Sequence, residues 1–249
     1  MEQQNTRSKE IRGAYRSVAS ASRFYDGMIT CSSFFGKLVC HAVWAMGWRE
    51  NDIYLCEALR GIPEGFSGRM LEVPVGTGVI TMPVYESLPR ARVECLDYSE
   101  DMIAFARQRA EKIGLKNVSF TQGDVGALPF ENDSFDLVLS LNGFHAFPDK
   151  ESAYREVLRV LKPGGTFCGC FYIAGECART DWMIQHIYVP KGYFTPPFET
   201  LDSLKARLMG SYVNGALSTV RSMACFVCHK PEHAQAKRAA EKEGTTRCN

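Results

Sequence analysis

From residue 67 onward, short apolar runs alternate with helix-patterned stretches, and this alternation constrains the fold more than any other feature of the chain. Residues 69–75 (RMLEVPV), 92–97 (RVECLD), 117–122 (NVSFTQ), 135–141 (FDLVLSL) and 166–173 (TFCGCFYI) read as strands. Residues 79–88, 99–113 and 149–161 carry helical patterns between them. Pro83 is comfortable only in a first helical turn, so the first of these helices starts late or kinks. Ser99 can cap the second, with Glu100 and Asp101 in its positive first turn and Gly114 at its end. Its apolar face is Met102, Ile103, Ala106, Ala110 and Ile113. In the third, Tyr154, Val157, Leu158 and Leu161 follow the helical period. Lys162-Pro163-Gly164-Gly165 predicts a turn.

Strands and helices in strict alternation build a parallel sheet covered on both faces. The near-continuous apolar run at 135–141 suits a strand buried on both sides. Residues 212–219 and 223–229 lie too close together for a crossover helix, so they predict an antiparallel hairpin added to the sheet. The expectation is an α/β doubly wound sheet, mostly parallel, with a C-terminal antiparallel hairpin. Three regions follow: a helical, aromatic-rich lid at 1–66, the core at 67–230, and a polar tail at 231–249.

The chain of 249 residues can bury a sizeable core without disulfides or metal. Its net charge of +1 offers no global field for nucleic acid or an anionic membrane. Ten cysteines are unusual, but residues 1–20 lack the apolar core of a secretory signal, so mostly free thiols in a reducing cytoplasm are expected. The apolar stretch 28–48 is broken by Lys37 and His41 and does not read as a membrane span. Cys225 and Cys228 resemble a metal or redox pair, yet i and i+3 in a strand face opposite ways, which favours buried thiols. Cys168 and Cys170 share a face but lack further ligands at zinc spacing. Cys31, Cys40 and Cys177 fall in lid segments.

Ligands of open α/β sheets bind at the carboxyl ends of the strands. Those ends carry Glu72 with Gly76 and Gly78, then Asp97, Asp124, and Asn142 to His145. Three carboxylates on successive strand ends suit a nucleoside: ribose hydroxyls for one, an exocyclic amine for another, a ligand ammonium for the third. A dinucleotide is the alternative, as in an NAD-dependent oxidoreductase. Its fingerprint needs a third small residue where Thr81 stands, and Pro83 disturbs the helix that would meet a pyrophosphate.

The segments LEVPVGTG (71–78), VECLDYSEDMI (93–103), GDVGALPFENDSFDLVLS (123–140) and VLRVLKPGGTF (157–167) resemble the successive motifs of class I S-adenosylmethionine-dependent methyltransferases. They are most similar to the small-molecule group that includes the ubiquinone and menaquinone C-methyltransferases. The resemblance covers roughly residues 67–173 and implies a Rossmann-like sheet with S-adenosyl-L-methionine as cofactor. It implies that Gly76, Thr77 and Gly78 face the methionine part and that Glu72 lies near its amino group. It further implies that Asp97 holds the ribose hydroxyls, that Tyr98 flanks the adenine, and that Met102 belongs to the same set. Asp124 would accept from the adenine amine, Val125 would meet a ring nitrogen, and Asn142 and Gly143 would line the far side through their backbone. The family usually has Asp at 72 and Gly at 74, where this chain has Glu72 and Pro74.

The implied activity is methyl transfer to a small, largely apolar or aromatic acceptor; a non-catalytic S-adenosylmethionine-binding protein is a further alternative. His145, after the fourth strand, is the candidate general base. Tyr25, in a segment resembling the Y-D-x-M of the quinone group, is the candidate positioning residue. Phe34, Phe35, Trp44 and Trp48 would form one wall of a lid, and residues 179–200 the other. The expected partner is a small-molecule acceptor, with no nucleic acid and no integral membrane association, in a monomer or homodimer.

Overall fold

A computed structural model describes residues 34–232. Tyr25 and Cys31, and nearly all of the expected tail, lie outside the described residues. Two helices come first, α1 (Phe34–Trp44) and α2 (Trp48–Leu59). The core then runs β1 (Arg69–Glu72), α3 (Thr81–Glu86), β2 (Arg92–Asp97), α4 (Glu100–Ile113), β3 (Val118–Gln122), β4 (Phe135–Leu141), α5 (Lys150–Val160) and β5 (Leu161–Tyr172). An insertion with α6 (Ala178–Met183) and a π-helical turn (Ile184–Tyr188) precedes α7 (Leu201–Ser211), β6 (Val213–Val220) and β7 (Met223–His229). The seven strands form one sheet in the order β3-β2-β1-β4-β5-β7-β6. Strands β1 to β5 are parallel, and β7 is antiparallel to both β5 and β6.

Helix α3 starts late, which puts Pro83 in its first turn, where the missing N–H costs nothing. Ser99 caps α4 by accepting from the Met102 N–H, and Asp149 caps α5 by accepting from Ser152. Strand periodicity sorts the core. Leu71 and Val138 face α5 and α7 with Phe167 and Phe226. Met70, Leu137 and Leu139 face α3 and α4 with Val93 and Cys95. Each such side chain, fully buried, contributes roughly 1.5–3 kcal/mol. Asp136 joins three strands: it accepts from the Arg69 N–H and pairs with Lys162.

Two expectations change in detail. Residues 162–165 are not a free turn but a bulge inside β5, because Leu161 pairs with Phe135 and Thr166 with Leu137, while Lys230 hydrogen-bonds Gly164 and Gly165. Cys40 is disulfide-bonded rather than a free thiol, whereas Cys56, Cys95, Cys168, Cys170, Cys177, Cys225 and Cys228 are free. Cys225 and Cys228 do face opposite sides of β7, Cys225 toward α2 and Cys228 toward α7. Among the described residues, no helix is long and apolar enough to cross a membrane.

Candidate active site

Strand β1 lies inside the sheet, with β2 on one side and β4, the middle strand, on the other. The chain winds outward in both directions from this point, so the loops after β1 and β4 diverge and leave a crevice at the carboxyl ends. A cleft opens there. It is lined from four strand ends: Val73 and Pro74 after β1, Leu96, Asp97 and Tyr98 at β2, Gly123, Asp124 and Val125 after β3, and Ala146, Phe147 and Pro148 after β4.

Asp97 ends β2, is 5 % exposed, and takes one backbone N–H on each oxygen: Gly76 at 2.8 Å and Ser99 at 2.9 Å. Burial pushes its carboxyl up to about 6, although those two donors favour the charged form. Asp124 caps a short 3₁₀ turn (Val125–Ala127) through one oxygen, 2.8 Å from the Gly126 N–H. The cap leaves its second oxygen for a ligand. Gly76 has φ +55°, and the space above it is open to 4 Å, so its backbone can meet a ligand where a side chain would intrude. Pro74 closes on the turn after β4: a Cβ on Gly143 would sit 2.4 Å from the Pro74 Cδ. The proline that departs from the family pattern is therefore accommodated by a glycine opposite.

The remaining cofactor-side residues sit differently. Glu72 is 1 % exposed and outside the cleft lining; it accepts from the Tyr85 hydroxyl at 2.8 Å, with the Cys95 thiol at 3.8 Å. Burial pushes its carboxyl up to about 8, so it is largely protonated at neutral pH. Thr77 is buried in the glycine loop, Gly78 packs on Met82, and Met102 is fully buried on α4, outside the cleft lining. Asn142, at φ +55°, directs its amide away from the cleft to the hydroxyl of Tyr54 on α2, 2.7 Å away.

His145 is buried and stacked on Phe194, ring centroids 4.1 Å apart. Its Nδ1 accepts the Tyr172 N–H at 3.1 Å, which places the proton of the neutral ring on Nε2. Burial, with Lys150 nearby, pushes it down to about 3. Around it lies a cluster of aromatic rings. Trp44 meets Tyr172 and Phe194, and Phe194 meets Tyr188 and Phe198. The insertion is tied to α1 by Thr180, whose hydroxyl donates to the Val43 carbonyl at 2.7 Å, and by Arg179 on the His41 carbonyl. Tyr54 and Phe194 carry no motif; in sequence they are aromatic residues among many, and only the fold brings them to the end of β4.

A protein-family model described as a methyltransferase domain matches residues 67–188. The chain carries a class I methyltransferase domain. A demethylmenaquinone methyltransferase of Thermus thermophilus is 40% identical over 118 residues, 47% of this chain and 50% of that protein. The chain spans about half the length of the first curated relatives it matches. A phosphoethanolamine N-methyltransferase 2 of Haemonchus contortus, solved with S-adenosylhomocysteine, superposes with TM-score 0.62 at 18% identity, covering 80% of this chain and 57% of that one. The [4+2]-cyclase SpnF superposes with TM-score 0.61 at 18% identity, over 76% of this chain and 84% of that one. These two likenesses bear on the fold, and the second belongs to a protein named for a different reaction. The methyltransferase domain is of the S-adenosylmethionine-dependent class, and the chemistry of the cleft suits that cofactor: two carboxylates, an open glycine beside them and apolar walls.

Proposed function

We propose that the chain binds S-adenosylmethionine in the cleft at the β1 and β4 ends and transfers its methyl group to a small, largely apolar aromatic acceptor beneath the lid. One observation carries this reading: Asp97 and Asp124, from two successive strand ends, line a single cleft with the Gly76 loop beside them. When bound, the cofactor supplies a methyl group on a sulfonium centre. Asp97 keeps lone pairs for two ribose hydroxyls after accepting its two backbone N–H groups. Asp124 offers an oxygen to the adenine amine, and Tyr98, Val125 and Phe147 give the ring apolar faces. Glu72 acts at one remove in this scheme: its neutral carboxyl ties β1 to Tyr85 of α3 and steadies the glycine loop.

The lid aligns the acceptor and keeps water out, which is the larger part of the protein's work in a displacement reaction. His145 serves as a neutral wall and donor rather than as the base expected from sequence, because its free lone pair is spent on Tyr172. The aromatic surroundings, together with the names of the relatives, favour a quinol-type ring as acceptor. In this reading the described residues 34–66 cap a core of 67–230.

The test uses S-adenosylmethionine carrying a tritiated methyl group, offered with a reduced naphthoquinone lacking its ring methyl and, separately, with phosphoethanolamine. Label in the naphthoquinol is the expected result. Label in phosphoethanolamine alone overturns the acceptor assignment.

A further inference from the structure

We propose that Tyr54 is a positioning residue: through Asn142 it holds the turn that forms one wall of the cofactor cleft, and so couples the lid to cofactor binding. The inference rests on the reading of the cleft given above.

Three side chains from three elements meet at the end of β4. The Asn142 amide donates to the Tyr54 hydroxyl at 2.7 Å, the Cys170 sulfur lies 3.4 Å from that hydroxyl, and the same sulfur lies 4.0 Å from the Asn142 carbonyl oxygen. The hydroxyl accepts from the Asn142 amide, and the Cys170 thiol has both the hydroxyl and the Asn142 carbonyl oxygen within reach as acceptors. The ring is closed and shielded: Tyr54 is 5 % exposed and Cys170 is fully buried. A satisfied polar cluster in a low-dielectric setting specifies one geometry, since any displacement strands a donor.

What the ring holds is an uncommon backbone conformation. Asn142 has φ +55°, a left-handed state that costs a non-glycine residue energy and persists where surrounding contacts enforce it. The turn begins here. The Gly143 carbonyl accepts from Ala146 at 2.8 Å and from Phe147 at 3.2 Å, and both of those residues line the cofactor cleft. The other lid segment grips the same turn. Thr195 donates its N–H to the His145 carbonyl at 2.9 Å and its hydroxyl to the Ala146 carbonyl at 3.0 Å. The wall at Ala146 and Phe147 is thus suspended between α2 and the insertion. Cofactor and lid share it, so whatever seats the lid also sets the cleft's width.

The test is calorimetric titration of S-adenosylhomocysteine into the full chain, well below the melting temperature. The variants are Tyr54→Phe, Asn142→Gly, the two combined, and Ser218→Ala. Glycine accepts the backbone state of Asn142 while removing its amide. Ser218→Ala breaks a different anchor of the same helix, the 2.7 Å bond to Glu57. Loss of one net hydrogen bond predicts that Tyr54→Phe and Asn142→Gly each weaken binding about three- to tenfold, with the combined variant no weaker than either. Ser218→Ala is expected to stay within about twofold of wild type, as suits an outlying bond. Unchanged affinity in Tyr54→Phe, additive losses in the combined variant, or an equal loss in Ser218→Ala would each overturn the proposal while leaving the cofactor reading intact. Wild-type protein that fails to bind S-adenosylhomocysteine would overturn both.

Discussion

The cleft proposed for the cofactor and the aromatic cluster proposed as a lid both lean on β4, and they are held together by different forces. The cleft side is built on buried carboxylates: Asp97 gripped by two backbone N–H groups, and Glu72 by a tyrosine and a thiol. The lid side is built on ring contacts among Trp44, Tyr172, Phe194 and His145, with a few bonds to backbone carbonyls. The contrast has a thermodynamic consequence. Buried acids are stabilised in their protonated form and buried histidine in its neutral form, so the two halves respond to pH with opposite signs.

That opposition can be broken from either side. Glu72 has a folded value of about 8, above its ordinary 4.5, so its contribution is present at low pH and is lost as pH rises toward 8. Glu72→Gln removes this loss, and its stability relative to wild type is expected to climb by on the order of a few kcal/mol between about pH 5 and 8. His145 has a folded value of about 3, below its ordinary 6.5, so its contribution is present above 6.5 and is lost as pH falls. His145→Gln keeps an acceptor for the Tyr172 N–H without titrating, and its stability relative to wild type is expected to rise toward acid pH. Urea denaturation across pH reads both, and parallel curves for either variant and wild type would refute the assignment concerned.

Smaller effects sharpen the same contrast. Asp97→Ala should cost about 1–3 kcal/mol of S-adenosylhomocysteine affinity, the value of a charged hydrogen-bond partner, and a similar amount of stability, because it strands the Gly76 and Ser99 N–H groups. Gly143→Ala drives a methyl group toward Pro74 and should cost about 1–3 kcal/mol of stability by overpacking, measured by thermal melting. Trp44→Ala should cost about 1 kcal/mol of stability through its two ring contacts and leave S-adenosylhomocysteine affinity within about twofold. A large affinity loss in Trp44→Ala would mean that ring contacts, and not only Tyr54 and Asn142, tie the lid to the cleft.

The two regions also differ in how far their sequence discloses them. The sheet was legible because each strand and its following helix form a local unit: Ser99, Pro83 and the apolar period of 99–113 act within a few residues of themselves. Asp97 and Asp124 were legible for the same reason, since a residue at a strand's carboxyl end faces the crevice in any sheet wound this way. Glu72 was legible in position but not in orientation: its longer side chain turns into the core toward Tyr85, which no spacing rule reports. The lid was legible only as aromatic content. The bond between Tyr54 and Asn142 spans 88 positions, and the stack of His145 on Phe194 depends on the fold of the insertion. Sequence pattern supplied a histidine at the strand end; its hydrogen bond to Tyr172, on which its proposed role as a neutral donor rests, is set by the fold.

The central claim is that the cleft at the β1 and β4 ends takes an S-adenosyl nucleoside through Asp97. Calorimetric titration of S-adenosylhomocysteine and of NADH into wild type and Asp97→Ala tests it most directly. Wild type is expected to bind S-adenosylhomocysteine at one site, Asp97→Ala to bind it at least about fivefold more weakly, and NADH to give no heat of binding. Binding of NADH alone, or equal affinity of both proteins for S-adenosylhomocysteine, would contradict it.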